Sequence, residues 1–109
     1  MKITILAENL KKGLGIVLRG VTNKGTLPIL SGVMMKVDSE GLELMTTDLE
    51  ISFRVRIGVK VKEEGEIVIP AKLLFDLVSG LPSGPIDLMV EKQTLKISGG
   101  GVKTEIVGQ

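Results

Sequence analysis

The chain contains no cysteine, no histidine, no tryptophan and no tyrosine, and its only aromatic side chains are Phe53 and Phe75. Without His or Cys, the usual zinc sites, Ser-His-Asp triads and thiol nucleophiles are excluded for this chain alone. Carboxylates, Lys, Arg and hydroxyls are what remains for catalysis. Two aromatics cannot make the stacking platform on which single-strand binders lay their bases. Long apolar runs are also missing. The most apolar stretch, Leu27 to Met35, is interrupted by Ser31 and Gly32 and falls short of the ~20 residues of a spanning helix. No membrane segment is expected. The N-terminus lacks a basic region leading into an apolar core and a small-residue cleavage site, so a cytoplasmic protein is expected. An excess of one charge is absent too: 14 basic residues face 13 acidic ones, a net +1. Any nucleic-acid contact must therefore be weak or come from a local patch.

What is present reads as one domain. At 109 residues, with 43% apolar and 25% charged residues, the chain can bury one core. Lys2 to Leu6 alternates, with Ile3 and Ile5 on one face, which predicts a half-buried strand. Leu10, Leu14, Val17 and Val21 then recur at helical spacing, with Glu8, Lys12, Gly15 and Arg19 opposite them. Gly13, Gly15 and Gly20 weaken this helix by about 1 kcal/mol each at interior positions, and it is expected to end near Gly20. After a turn at Asn23-Lys24-Gly25, a strand is predicted over Ile29 to Val37, entered through Pro28, and "DSEG" connects it to Leu42–Met45 as a hairpin. "TTD" (Thr46 to Asp48) marks a turn. Leu49 to Lys62 alternates, Ile51, Phe53, Val55 and Ile57 against Ser52, Arg54 and Arg56, with a bulge or bend at Gly58. Glu66 to Ile69 predicts a strand and Pro70 opens a second helix with the stripe Leu74, Leu77, Val78 and Leu81, stopped by Gly80 and Pro82. Three more strands follow: Ile86–Val90, Leu95–Ser98 and Val102–Val107.

"ITILAENLKKGL" (Ile3 to Leu14) and "IVIPAKLLFDLV" (Ile67 to Val78) match at an offset of 64 residues: Ile3 with Ile67, Ile5 with Ile69, Ala7 with Ala71, Leu10 with Leu74, Leu14 with Val78. Val37 to Leu42 corresponds to Val90 to Leu95. The chain thus reads as strand, helix and three strands twice over, with pseudo-repeats at about residues 1–62 and 65–109. Two helices packed on antiparallel sheet is an α+β architecture.

"KGTLPILSGVMMKV", "LMTTDLEISFRV" and "IPAKLLFDLVSGLP", in this order and at these separations, make the chain resemble the first domain of the bacterial DNA polymerase III beta subunit, the DNA sliding clamp. The resemblance runs from Met1 to the last residue. It implies a clamp-domain fold and a processivity factor without chemistry of its own: a ring of two chains with three such domains each, helices lining the bore and sheets forming the wall, threaded by duplex DNA. It implies no catalytic residue, no cofactor and no metal. The chain corresponds to about a third of a family member. The family's pocket for polymerase and clamp-loader peptides lies in its third domain, so a truncated domain that lacks those partners' pocket is expected here.

On sequence alone, Lys12 and Arg19 with Lys11 beside them are the solvated face of a helix. The resemblance turns that face, together with Lys72 on the second helix, toward DNA phosphates, contacted loosely and without base reading. Lys24 matches a basic bore-loop residue of the family and is the foremost DNA-contact candidate. Ser79 stands where some members carry another cation. Asp48 and Glu50 suggest a carboxylate enzyme site, but turn formation by Asp48 is the simpler reading. Arg54, Arg56, Lys60 and Lys62 form a cationic row of the kind that protects edge strands. Ring closure in the family joins the first domain of one chain to the third of the other by edge-strand pairing and a small apolar core. That implicates Leu73, Phe75, Glu105, Ile106 and Val107 as subunit interface. The alternative function is a stand-alone interaction or oligomerisation module that self-associates through free edge strands.

Overall fold

The computed structural model describes residues 1–21 and 31–109. Strand β1 (Lys2–Leu6) buries Ile3 and Ile5 and turns Lys2 outward, as its alternation requires. It runs directly into α1 (Ala7–Val17), which has no side-chain cap. The first turn is fastened from elsewhere: Ala7 N–H donates to the Gly84 carbonyl at 2.8 Å, and Glu8 Oε1 accepts from Gly84 N–H at 3.0 Å. Leu10, Leu14 and Val17 are fully buried, and a single 3₁₀ turn, Leu18–Gly20, ends the helical segment at the expected glycine. The turn expected at Asn23-Lys24-Gly25, Pro28 and the first residues of the strand expected over Ile29 to Val37 lie outside the described residues.

Strand β2 (Gly32–Asp38) and β3 (Gly41–Thr47) form the expected hairpin, in which Gly41 adopts φ +122° and a Cβ would stand 2.6 Å from the Ile57 carbonyl oxygen. Thr46 and Thr47 belong to β3, so the turn begins at Asp48 and leads into β4 (Ser52–Ile57). The alternating run expected as one element from Leu49 to Lys62 divides at Gly58 and Val59. Its second part is β5 (Lys60–Glu63), in a different sheet. Ile51, expected on the buried face, belongs to the turn and is exposed. Strand β6 (Gly65–Pro70) precedes α2 (Ala71–Ser79). Pro70, expected in the first helical turn, instead closes the strand with ψ 117° and stands just outside the helix. Gly80 follows with φ −83°, so this helix ends without a left-handed residue. Strands β7 (Pro85–Glu91), β8 (Thr94–Gly99) and β9 (Val102–Val107) complete the chain.

Among the described residues the strands form two antiparallel sheets, β5-β1-β7-β8-β9 and β4-β3-β2-β6. The helices pack against each other, α1 also on β3 and β4, and α2 also on β2 and β6. Each helix carries the chain from one sheet to the other. Ile3 and Ile5 therefore lie opposite Leu88 and Ile86, while Ile67 and Ile69 lie opposite Met35 and Val33. The hairpin pairs Val37–Leu42 and Val90–Leu95 occupy the same relative places. One continuous core fills the space beneath the helices, and each of its fully buried Leu or Ile side chains is worth roughly 2 kcal/mol.

Candidate nucleic-acid interface

Burial of Leu10, Leu14 and Val17 forces the opposite side of α1 into solvent, and Lys11, Lys12 and, on the 3₁₀ turn, Arg19 are all exposed there. Ala71, Leu74 and Val78 do the same for α2, exposing Lys72 and Asp76. Seven residues separate Lys12 from Arg19, two helical turns or about 10 Å. A groove runs between the helices, lined by Lys11, Lys12, Gly15, Phe75, Val78 and Leu81. Glu8 also borders it. Its carboxylate is engaged by Gly84 N–H, which holds it below the usual carboxylate range, so it stays ionised.

Lys11, Lys12, Arg19 and Lys72 have no ion-pair partner among the described residues. Arg56 contrasts with them: its guanidinium lies 3.3 Å from Asp38, 3.6 Å from Glu40 and 3.4 Å from Glu43. The helix layer is thus a face where cations are held by the fold and left unneutralised, which suits a polyanion contacted through its charge. Lys24 lies outside the described residues.

The proposed interface residues separate. Leu73 is 48% exposed on α2. Phe75 turns toward α1, where its ring would sit 3.7 Å from a Cβ on Gly15, and it lines the interhelical groove. Glu105 and Val107 face outward. Ile106 between them is 5% exposed and opposite Leu95 in the core, because strand alternation gives it the inner face. Gly100 and Gly101, at φ +57° and +80°, form the two-residue turn before β9, and ladder alternation then points the main-chain groups of Lys103, Glu105 and Val107 away from β8.

Asp48 makes a turn. Its Oδ1 accepts from Glu50 N–H at 2.9 Å and Ile51 N–H at 2.7 Å, and its own N–H donates to the Ile51 carbonyl at 3.1 Å. The Ile51 and Glu50 N–H groups hold its carboxyl below the ordinary range. Thr47 Oγ1 adds a bond to the Ile51 carbonyl and accepts one from Leu49 N–H. No cluster of three metal-capable side chains occurs among the described residues. The cationic row is also divided: Arg54 and Arg56 lie on β4, at one sheet edge, and Lys60 and Lys62 on β5, at the edge of the other.

Close helix–sheet approaches were the feature that periodicity did not reveal. Gly13 faces Ile57 and Leu44, and Gly20 faces Thr46 and Phe53. A glycine on the apolar stripe of a helix was the available signal.

The family model for the DNA polymerase III beta subunit, N-terminal domain, matches residues 1–104. The chain is 39% identical over 102 residues to the beta sliding clamp of Pseudomonas aeruginosa, covering 92% of this chain and 28% of that protein. It is 36% identical over 92 residues to a beta sliding clamp homolog of Streptomyces muensis, covering 84% of this chain and 25% of the other. The crystal structure of the Bacillus subtilis DNA polymerase sliding clamp superposes with a TM-score of 0.95 at 26% identity, over 100% of this chain and 31% of that one. A Pseudomonas aeruginosa sliding clamp structure gives 0.93 at 36%, over 100% and 30%. The chain therefore spans between a quarter and a third of the length of these relatives.

Proposed function

The chain belongs to the family of the DNA polymerase III beta subunit, N-terminal domain, and on that premise we propose that it forms one segment of a non-catalytic ring around duplex DNA. Its helix layer is the bore side and its sheets are the wall. Lys12, Arg19 and Lys72, together with Lys24, which lies outside the described residues, contact phosphates without reading bases. The observation that carries this reading is that Lys12, Arg19 and Lys72 stand exposed on the helix layer with no ion-pair partner among the described residues. Processivity in such a ring is topological, and the replicative polymerase and clamp loader are partners of the full ring. The lone domain binds duplex weakly. Fluorescence anisotropy with a short linear duplex tests this: tight binding at physiological salt overturns the topological account.

The ring would close through β9. Its outward main-chain groups at Lys103, Glu105 and Val107 offer an edge for strand addition, with Ile106 on the inner face of the strand and the exposed Leu73 on α2 as a further apolar contact. The equivalent registers of the two sheets support a duplicated strand-helix-three-strand unit, at about residues 1–62 and 65–109. Among the described residues no helix is long and apolar enough to cross a membrane, and a replication role fits the cytoplasm. The free β9 edge also favours a second reading, an oligomerisation module independent of DNA. Light scattering separates the two: a concentration-dependent oligomer that is abolished by Val107→Lys and indifferent to Lys12→Glu supports the module.

A further inference from the structure

The face of the five-stranded sheet turned away from the core carries a shallow depression bordered by four lysines: Lys2 on β1, Lys62 on β5, Lys96 on β8 and Lys103 on β9. Lys96 alone of these is ion-paired, its Nζ 3.1 Å from Glu91 Oε2; Lys2, Lys62 and Lys103 have no carboxylate partner among the described residues. Two carboxylates stand among the lysines, Asp87, which accepts a hydrogen bond from Thr4 Oγ1 at 2.6 Å, and Glu105.

The edge of this depression is built by an irregularity. Lys2 lies opposite Glu63 but Ile3 lies opposite Val61, so Lys62 is the extra residue of a β-bulge. A bulge at a sheet edge bends the strand and re-aims a side chain. Here the Lys62 and Lys2 side chains border one depression, and like charges side by side on a sheet face repel. An anion between them removes that repulsion. Along the ladder, Lys2, Met89 and Lys96 follow one another on successive strands, so Lys2 and Lys96 are about 10 Å apart at the usual strand spacing. An extended peptide repeats its same-face side chains at about 7 Å, which lets acidic residues on alternate positions reach both lysines.

We propose that this outer face is a docking site for an extended acidic segment of a partner protein, crossing the strands from Lys62 and Lys2 to Lys96 and Lys103. Asp87 and Glu105 favour a peptide over a nucleic acid. A phosphate track across the depression would run against both carboxylates, whereas a peptide brings N–H and hydroxyl donors to them. The site lies on the opposite side of the domain from Lys12, Arg19 and Lys72 and stands independently of their role.

A labelled peptide of alternating Glu and Ser, titrated into the chain at low salt and followed by anisotropy and amide chemical shifts, tests the proposal. Binding with shift changes on β1, β8 and β9 is expected. Lys2→Glu with Lys62→Glu should weaken it about tenfold or more, Lys62→Gln less, and Lys12→Glu with Lys72→Glu by under about twofold. Urea midpoints of the variants show that the fold is intact. Equal weakening by the helix-face pair, or a linear duplex displacing the peptide from the sheet face, overturns it.

Discussion

Gly13 on α1 and Ile57 on β4 approach so closely that a Cβ on the glycine would stand 2.7 Å from Ile57 Cδ1, with Leu44 Cδ1 at 3.2 Å. Two residues later, a Cβ on Gly15 would meet only Phe75 Cε1, at an ordinary 3.7 Å. The helix lies against the sheet through one glycine and could do without the other.

Gly15→Ala is therefore expected to stabilise the domain by about 0.5–1 kcal/mol through helix propensity. Gly13→Ala gains the same propensity but must displace two side-chain ends, and Gly13→Val should cost about 1–3 kcal/mol. Urea unfolding compares them. A Gly13→Ala variant as stable as Gly15→Ala would show that the α1–β4 contact is loose.

Thr46 is buried, and its Oγ1 donates to the Val17 carbonyl at the end of α1. Thr46→Val keeps the shape and removes that hydrogen bond, at an expected cost of about 0.5–1.5 kcal/mol, whereas Thr46→Ser loses only a methyl contact. If both variants unfold at the same urea concentration, the hydroxyl is not holding the helix end.

The Asp48 turn predicts a pH dependence. Its carboxyl ionises more readily in the folded state than in the unfolded chain, so the stability it adds is present above the ordinary carboxylate range, near pH 4. That stability is lost as pH falls through the lower folded value. Glu8 and Asp38 act in the same direction. Asp48→Asn should flatten the acid limb of urea midpoint against pH without disrupting the turn. An unchanged acid limb would remove Asp48 from the account.

Leu49 holds φ +82° while 70% exposed. A left-handed conformation costs a branched residue about 1–2 kcal/mol, and little burial is at stake, so Leu49→Gly or Leu49→Asn should be neutral or stabilising. Destabilisation by more than about 1 kcal/mol would mean that the side chain packs in a way its exposure does not suggest.

For DNA, Lys12→Ala, Arg19→Ala and Lys72→Ala should each reduce the salt dependence of weak duplex binding by roughly 0.9 in the logarithmic slope, and Arg56→Ala should leave it unchanged. Arg56 is already neutralised by three carboxylates. A slope that responds to Arg56 and not to the helix residues would put DNA on the wrong face.

Elements with one strong period were legible in the sequence. β1, both helices and the hairpin at Asp38–Gly41 stand where alternation, apolar stripes and turn residues put them. The division of Leu49–Lys62 was hidden because alternation continues through Gly58 while the chain changes sheets, and alternation records only which side faces inward. The contact of Phe75 with α1 was not legible, because helical position says which way a ring points, not which neighbour it meets. Its ring meets α1 at Gly15. Ile106 was grouped with Glu105 and Val107 as interface, although its own place in the alternation is internal. The cations of the helix face could be found as a stripe, but their lack of partners needed the carboxylates located in space.

The exchange of strands between sheets has a consequence in time. Ile3 is synthesised 85 residues ahead of its neighbour Leu88, which at 5–20 residues per second is roughly 4–17 s. Until then β1 has only β5 beside it, and β6 likewise belongs with strands from the opposite half. Neither half can close its own sheet. The domain is committed to folding late and as a whole, with long-range pairings that make the process slow. Two separately expressed halves, cut between Glu63 and Gly65, would each wait for the other.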